Sequence, residues 1–160
     1  MSSIIAPAKR INLIPAGIVA GILGAIVIDL YLMLALRVGP GALFQWVASN
    51  FRGEGAAALP GAALQGAAVQ GIAAIVWGVV YAALAQSGRP AMVNRPVICG
   101  LIYGIAVLVI MQAVQVLAHH YSPPNAHWDI FAREVIGHAV FFGVPIALYV
   151  SFAARRALRA

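Results

Sequence analysis

Charged residues are scarce in this chain, and their scarcity limits the class of protein it can be. Asp, Glu, Lys and Arg make up 9% of the 160 residues, whereas hydrophobic residues make up 63%. A water-soluble domain of this composition would expose large apolar patches, so a soluble fold is excluded. The net charge of +6 does not indicate nucleic-acid binding, because nearly all of the basic residues lie beside apolar runs.

Cysteine and the common catalytic motifs are also lacking. Cys99 is the only cysteine, which excludes a disulfide within the chain. The sequence has no Gly-rich phosphate loop, nucleophile elbow or catalytic-triad spacing, and we expect no enzyme. His119, His120, His127 and Asp129 resemble metal ligands by type, but their spacing fits no standard zinc pattern. A solvated histidine loop is favoured over metal binding, and over haem ligation by His138 with another histidine. We therefore expect no metal and no cofactor.

Four long apolar runs remain, over about 12–36, 62–86, 96–118 and 131–153. Each reaches the length of about 20 residues that crosses a bilayer as a helix. Lipid offers no hydrogen bonds to the backbone, so such runs form helices or the strands of a closed barrel, and barrel strands are shorter and alternate. The sequence predicts one transmembrane domain over 1–160, an all-α bundle of four helices.

The connection between the first two runs carries aromatic residues at helical spacing. Over 41–52, Phe44, Trp46, Val47 and Phe51 come near one face if the segment is helical. A short interfacial helix on the membrane surface and an ordinary loop with aromatic anchors both fit this pattern. In the fourth run, Pro145 predicts a bend, because proline removes a backbone hydrogen bond.

The distribution of Lys and Arg predicts the orientation in the membrane. Seven of these residues lie beside the N-terminus, the second loop and the C-terminus: Lys9, Arg10, Arg89, Arg95, Arg155, Arg156 and Arg159. Three lie on the other side: Arg37, Arg52 and Arg133. Both termini are therefore expected in the cytoplasm.

Polar residues within the apolar runs are costly in lipid, so they indicate contacts with protein. With the orientation above, six of them fall in the outer half of the membrane, from four different helices: Asp29, Gln70, Gln112, Gln115, Glu134 and His138. A polar cluster centred on Asp29 and His138 is predicted. It serves either as a set of structural contacts between helices or as a site for a proton, a cation or a small polar solute.

Small residues form stripes on two of the predicted helices. Gly17, Gly21 and Gly24 lie near one stripe of the first, and Gly100 and Gly104 lie on one face of the third. Such stripes allow close helix packing, within the chain or in a dimer. The shared Gly-x3-Gly spacing raises the hypothesis of a duplicated helical hairpin, in which Asp29 corresponds to Gln112; chance composition is the alternative.

The C-terminal third also carries a combination of short motifs typical of one family. They are Gly100-Leu101-Ile102-Tyr103-Gly104, Ser122-Pro123-Pro124, Glu134-Val135-Ile136-Gly137-His138-Ala139-Val140-Phe141-Phe142 and Arg155-Arg156-Ala157-Leu158-Arg159. In these motifs the chain resembles the YagU family of bacterial inner-membrane proteins. The resemblance implies a multi-pass protein of the bacterial inner membrane and importance for Glu134 and His138. It implies no substrate.

Two functional hypotheses follow from the sequence. The first is a small structural or accessory subunit that acts through helix–helix contacts, with the lipid bilayer, other membrane subunits or a second copy of itself as partners and no nucleic acid. The second is a small transporter or a proton- or ion-responsive protein that uses the polar cluster. A polar cavity that reaches the cluster from the outer side would favour the second hypothesis.

Overall fold

A computed structural model describes residues 11–87, 89–118 and 127–159, and within these ranges every regular element is helical. The α-helices are α1 (Ile14–Leu36), α2 (Pro40–Arg52), α3 (Ala62–Gln86), α4 (Pro90–Asn94), α5 (Pro96–Leu117), α6 (Trp128–Ile136) and α7 (Val144–Arg159). A 3-10 turn (Glu54–Ala58) precedes α3, and a π-helical segment (Gly137–Gly143) joins α6 to α7.

Among the residues that the structure describes, four continuous helical segments are long and apolar enough to cross a membrane: Ile14–Leu36, Ala62–Gln86, Pro96–Leu117 and Trp128–Arg159. The predicted four-helix transmembrane bundle is therefore confirmed. The fourth segment begins three residues before the predicted start, at Trp128, and continues to Arg159. Proline lies at the first or second position of α1, α2, α4 and α5, where its missing N–H costs no helical hydrogen bond.

The bundle has two ends, which we name by the helix termini found there. The proximal end holds the start of α1 and the end of α7. At the distal end α1 and α5 end and α3 and α6 begin. α1 packs against α3 and α7, and α5 packs against α7 and the π-helical segment. The backbones of α3 and α5 hardly approach one another, although the Tyr103 hydroxyl of α5 donates a hydrogen bond to the Trp77 carbonyl of α3 over 2.5 Å.

Glycine brings the backbones of α1 and α3 into contact. A Cβ added at Gly17 would lie 2.7 Å from the Gly78 carbonyl oxygen, and one added at Gly78 would lie 2.6 Å from the Gly21 nitrogen. No side chain fits at these distances, so the pairing depends on three glycines, two on α1 and one on α3. Gly24, one turn further along α1, instead lies against Ile146 and Phe142 of the fourth segment.

The second hairpin repeats this arrangement. A Cβ added at Gly100 of α5 would lie 2.7 Å from the Gly143 carbonyl oxygen, and one added at Gly143 would lie 2.8 Å from the Gly104 nitrogen. Gly100 and Gly104 thus take the place of the two glycines of α1, and Gly143 takes the place of the glycine of α3. This correspondence supports the duplicated-hairpin hypothesis.

The π-helical segment is the main departure from that repeat. It ends at Gly143, immediately before Val144 and Pro145. Pro145 has no N–H for an α-helical bond to Phe141, and the wider π turn is one way in which a helix accommodates such a gap. Pro145 was expected to bend this helix, and the local distortion takes the form of a π-helical segment just before it.

The segment predicted as a surface helix or an anchored loop is the helix α2, and it packs along α3. Its buried side includes Leu43, Val47 and Asn50. Gly66 of α3 allows this contact, because a Cβ there would overlap the Phe44 carbonyl group. α2 therefore forms part of the bundle wall at the distal end.

The contact between Gly78 and α1 can be tested with two variants of α3. Gly78→Ala should lower the free energy of unfolding by about 1–3 kcal/mol, the usual cost of overpacking. The matched control Gly71→Ala, also on α3, should not lower it, because its Cβ would meet nothing within 4 Å and alanine favours a helix over glycine. Unfolding by SDS in mixed micelles, followed by circular dichroism, measures both. Equal losses for the two variants would contradict the proposed packing.

Candidate functional site

A cavity of about 80 Å³ lies in the distal half of the bundle, between α3 and α5. α2 supplies one of its walls with Trp46 and Asn50. The titratable and amide side chains that line it are Asn50, Gln70, Gln112, Gln115, Glu134 and His138. Five of the six residues of the predicted cluster thus border one cavity, and they come from α3, α5, α6 and the π-helical segment.

Asp29 is the sixth residue of the predicted cluster, and it does not line the cavity. Its carboxylate accepts a hydrogen bond from the Gln70 side-chain nitrogen over 2.9 Å. Gln70 is therefore the link between the half-buried Asp29 and the cavity.

Glu134 forms the second carboxylate–amide pair. The Gln112 side-chain nitrogen donates to the Glu134 carboxylate over 3.0 Å, and Glu134 is 5% exposed. The His138 Nδ1 lies 3.0 Å from the Glu134 carbonyl oxygen, one turn earlier in the same helical segment. Its side chain is thereby oriented by its own helix rather than by a neighbouring carboxylate.

No hydrogen bond joins Asp29 and His138, the predicted centre of the cluster, among the described residues. Asp29 bonds to α3 and His138 bonds to its own helix, so the two residues have different partners. Counting residues along each helix gives the depth of a side chain in the membrane. It does not show how each helix is rotated about its axis. The cluster is instead built from two carboxylate–amide pairs, one in each hairpin.

The two pairs correspond to one another in position. Asp29 follows Gly17 by 12 residues and Gln112 follows Gly100 by 12. Gln70 precedes Gly78 by 8 residues and Glu134 precedes Gly143 by 9, with the π-helical segment inside that longer interval. The carboxylate is thus on the first helix of one hairpin and on the second helix of the other.

Three buried polar atoms at the cavity have no hydrogen-bond partner within the described part of the chain: Trp46 Nε1, Asn50 Oδ1 and Gln115 Oε1. Asn50 is 8% exposed and Gln115 is 7% exposed. Buried polar groups in native proteins are nearly always paired, by protein, water or ligand. Hydrogen bonds to water or to another small polar molecule would satisfy such atoms.

Asn50 and Trp46 were missed as lining residues, because α2 was expected on the membrane surface or as a loop. A signal was present in the sequence. Leu43, Val47 and Asn50 have the spacing i, i+4 and i+7 of one helix face, which puts an amide on the apolar side of α2. A polar residue on a buried face is itself an indication of a site.

An aromatic layer closes the cavity toward the proximal end. Trp77 lies at the cavity, and its carbonyl accepts the Tyr103 hydroxyl. The rings of Tyr103 and Tyr81 meet edge to face at 4.9 Å, and Tyr81 is fully buried. We call Trp77, Tyr81 and Tyr103 the aromatic floor.

The remaining candidates at the distal end do not form a site among the residues described. Asp129 lies on the surface and pairs with Arg133 at 3.8 Å, and His127 is exposed. Within the described ranges no group of three His, Cys, Asp or Glu side chains is placed to hold a metal ion. His119 and His120 lie outside the described residues.

Comparison with known proteins adds no relative: no family model, no curated protein and no solved structure matches this chain. The resemblance to the YagU family stays a prediction from the sequence motifs.

Double-mutant cycles test the pairing. The coupling energy between Gln112→Leu and Glu134→Leu, and that between Asp29→Leu and Gln70→Leu, should be about 0.6–1.7 kcal/mol, as for hydrogen bonds in membrane proteins. The cycle of Asp29→Asn with His138→Ala should give a value near zero, because the two residues have separate partners. SDS unfolding measures each. A larger coupling between Asp29 and His138 than within either pair would contradict this arrangement.

Proposed function

We propose that the protein is a small transporter-type membrane protein that binds a small polar solute in the cavity of its distal half. The observation that carries this proposal is a cavity inside the membrane-spanning bundle whose lining includes six amide or titratable side chains, and three of its lining residues, Trp46, Asn50 and Gln115, have a buried polar atom without a partner among the described residues. A bundle selected only for stability gains nothing from them, since each unpaired buried polar group costs about 1–3 kcal/mol. A solute with complementary groups recovers that energy on binding.

The position of the cavity also supports solute binding. Polar and ionisable residues are rare within membrane segments, and those that do occur commonly mark pathways for solutes and ions. Here they surround an open space at the distal end, and the aromatic floor separates that space from the proximal end. This is the geometry expected of a binding site with access from one side.

The alternative, an accessory subunit acting through helix contacts, has less support. Both Gly-x3-Gly pairs are occupied within the chain, by Gly78 and Gly143. Neither pair is therefore free to receive a helix of another subunit. The broad apolar surfaces of α3 and α5 are compatible with lipid alone, so they do not favour a protein partner.

For location, we propose the bacterial inner membrane with both termini in the cytoplasm. The excess of Lys and Arg beside the termini and the second loop supports this orientation, and the resemblance to the YagU family supports the compartment. The distal cavity would then face the periplasm.

Solute binding can be followed by tryptophan fluorescence, because two of the three tryptophans, Trp46 and Trp77, line the cavity. A panel of solutes of about four heavy atoms, one cationic, one neutral and one anionic, should include a member that changes tryptophan fluorescence saturably. Ala73→Leu, which fills the cavity from α3, should abolish the change. The matched control Ala68→Leu, exposed on the same helix and outside the cavity lining, should retain it.

Equal responses from Ala73→Leu and Ala68→Leu would place the bound solute elsewhere. Loss of a co-purifying membrane subunit in Ala73→Leu, without any solute response in the wild type, would favour the accessory-subunit hypothesis instead.

The orientation is tested by reporter fusions. Alkaline phosphatase, active only in the periplasm, should be inactive when fused after Arg159 and active when fused after Gly53 in the first connection. A fluorescent protein that matures only in the cytoplasm should give the reverse pattern. Activity of the phosphatase at the C-terminus would invert the proposed topology.

A further inference from the structure

Glu134 is a buried carboxylate without a positively charged partner in the described part of the chain. Its hydrogen bond comes from the neutral amide of Gln112. The adjacent Arg133 points elsewhere, to the Ala35 carbonyl and the Asp129 carboxylate. A buried carboxylate is strongly favoured by a cationic partner. The cavity beside Glu134 is where such a partner fits.

The unpartnered atoms define the rest of the ligand. Asn50 and Gln115 each leave a carbonyl oxygen without a donor, whereas Trp46 leaves an indole N–H without an acceptor. With the Glu134 carboxylate, these residues of the cavity lining supply three acceptor groups and one donor, and the His138 ring also lines the cavity. A primary ammonium has three N–H donors, and a hydroxyl oxygen accepts the indole N–H.

The size of the cavity limits the ligand further. A cavity of about 150 Å³ holds benzene, with six heavy atoms. The present cavity of about 80 Å³ therefore holds on the order of three or four heavy atoms. Aromatic rings at the cavity, among them Trp77 and Phe142, suit an organic cation better than a hydrated metal ion.

We propose that the solute is a small hydroxyl-bearing primary ammonium, an amino alcohol of about four heavy atoms, held by Glu134 as counter-ion. Asn50 and Gln115 accept from the ammonium group and Trp46 donates to the hydroxyl. This inference rests on the proposed function and specifies its substrate class. The same headgroup chemistry occurs free and on a phospholipid.

Three ligands of equal heavy-atom number test the assignment on the unmodified protein. Ethanolamine carries both groups, propylamine lacks the hydroxyl, and ethylene glycol lacks the charge. In phosphatidylcholine nanodiscs, calorimetry and tryptophan fluorescence should give the tightest binding for ethanolamine. Propylamine should bind several-fold more weakly, and ethylene glycol at least about tenfold more weakly, because a hydrogen bond to a charged group is worth more than a neutral one. Acetate should not bind.

Results that overturn the ligand assignment can be distinguished from a result that overturns the proposed function. Ethylene glycol binding as well as ethanolamine would overturn the ammonium assignment and leave solute binding intact. Propylamine binding as well as ethanolamine would overturn the role of the hydroxyl. If none of these compounds or the wider panel binds, the proposed function is overturned too.

Variants locate the counter-ion. Glu134→Gln should weaken ethanolamine binding by about tenfold or more while leaving ethylene glycol unaffected. Asp129→Asn removes an exposed carboxylate from the same helix and should change neither. Trp46→Phe should reduce the preference for ethanolamine over propylamine, which keeps the assignment testable even if Glu134→Gln does not fold. Equal effects of Glu134→Gln and Asp129→Asn would overturn the counter-ion role.

The source of the ligand is distinguished by the lipid. Adding phosphatidylethanolamine to the nanodisc should weaken apparent ethanolamine binding if the lipid headgroup enters the cavity. An unchanged affinity assigns the site to the free amine. This comparison requires that ethanolamine binds in phosphatidylcholine nanodiscs.

Discussion

The close approach of helix backbones at two glycine triads is the constraint on which the rest of this structure depends. In a bilayer the hydrophobic effect does not drive helices together, so they associate through packing and hydrogen bonds. Gly17, Gly21 and Gly78 hold the first hairpin, and Gly100, Gly104 and Gly143 hold the second. Because these contacts allow no side chain, they fix the position of each helix along its partner. The polar pairs beyond them are thereby brought into register.

A sequence of this kind predicts its fold well and its site only in part. The four apolar runs determine the transmembrane segments, because a spanning helix needs a minimum apolar length. The depth of Gln70, Gln112, Gln115 and Glu134 follows from counting along those segments. Which side chain pairs with which depends on helix rotation and on the packing of α2. Neither can be read from hydropathy alone, so Asn50 was missed and the specific pairing of Asp29 with Gln70 was not predicted.

The cavity arises from unequal packing of two similar hairpins. α1 packs closely on the fourth helical segment, whereas the backbones of α5 and α3 hardly approach one another and the rings of Tyr81 and Tyr103 occupy the proximal half of the gap between them. In the distal half of the gap, the side chains that line the space include amides and a carboxylate. The difference between the halves therefore comes from side-chain size: tyrosines fill one level and shorter polar groups leave space at the other.

The π-helical segment has an evolutionary consequence. If the hairpins descend from one ancestor, its extra residue is the trace of a single-residue insertion between Glu134 and Gly143. In a regular α-helix such an insertion rotates everything on one side of it by about 100°. A wide turn absorbs that rotation locally, so Gly143 at the end of the segment and Glu134 before it both keep their contacts with α5.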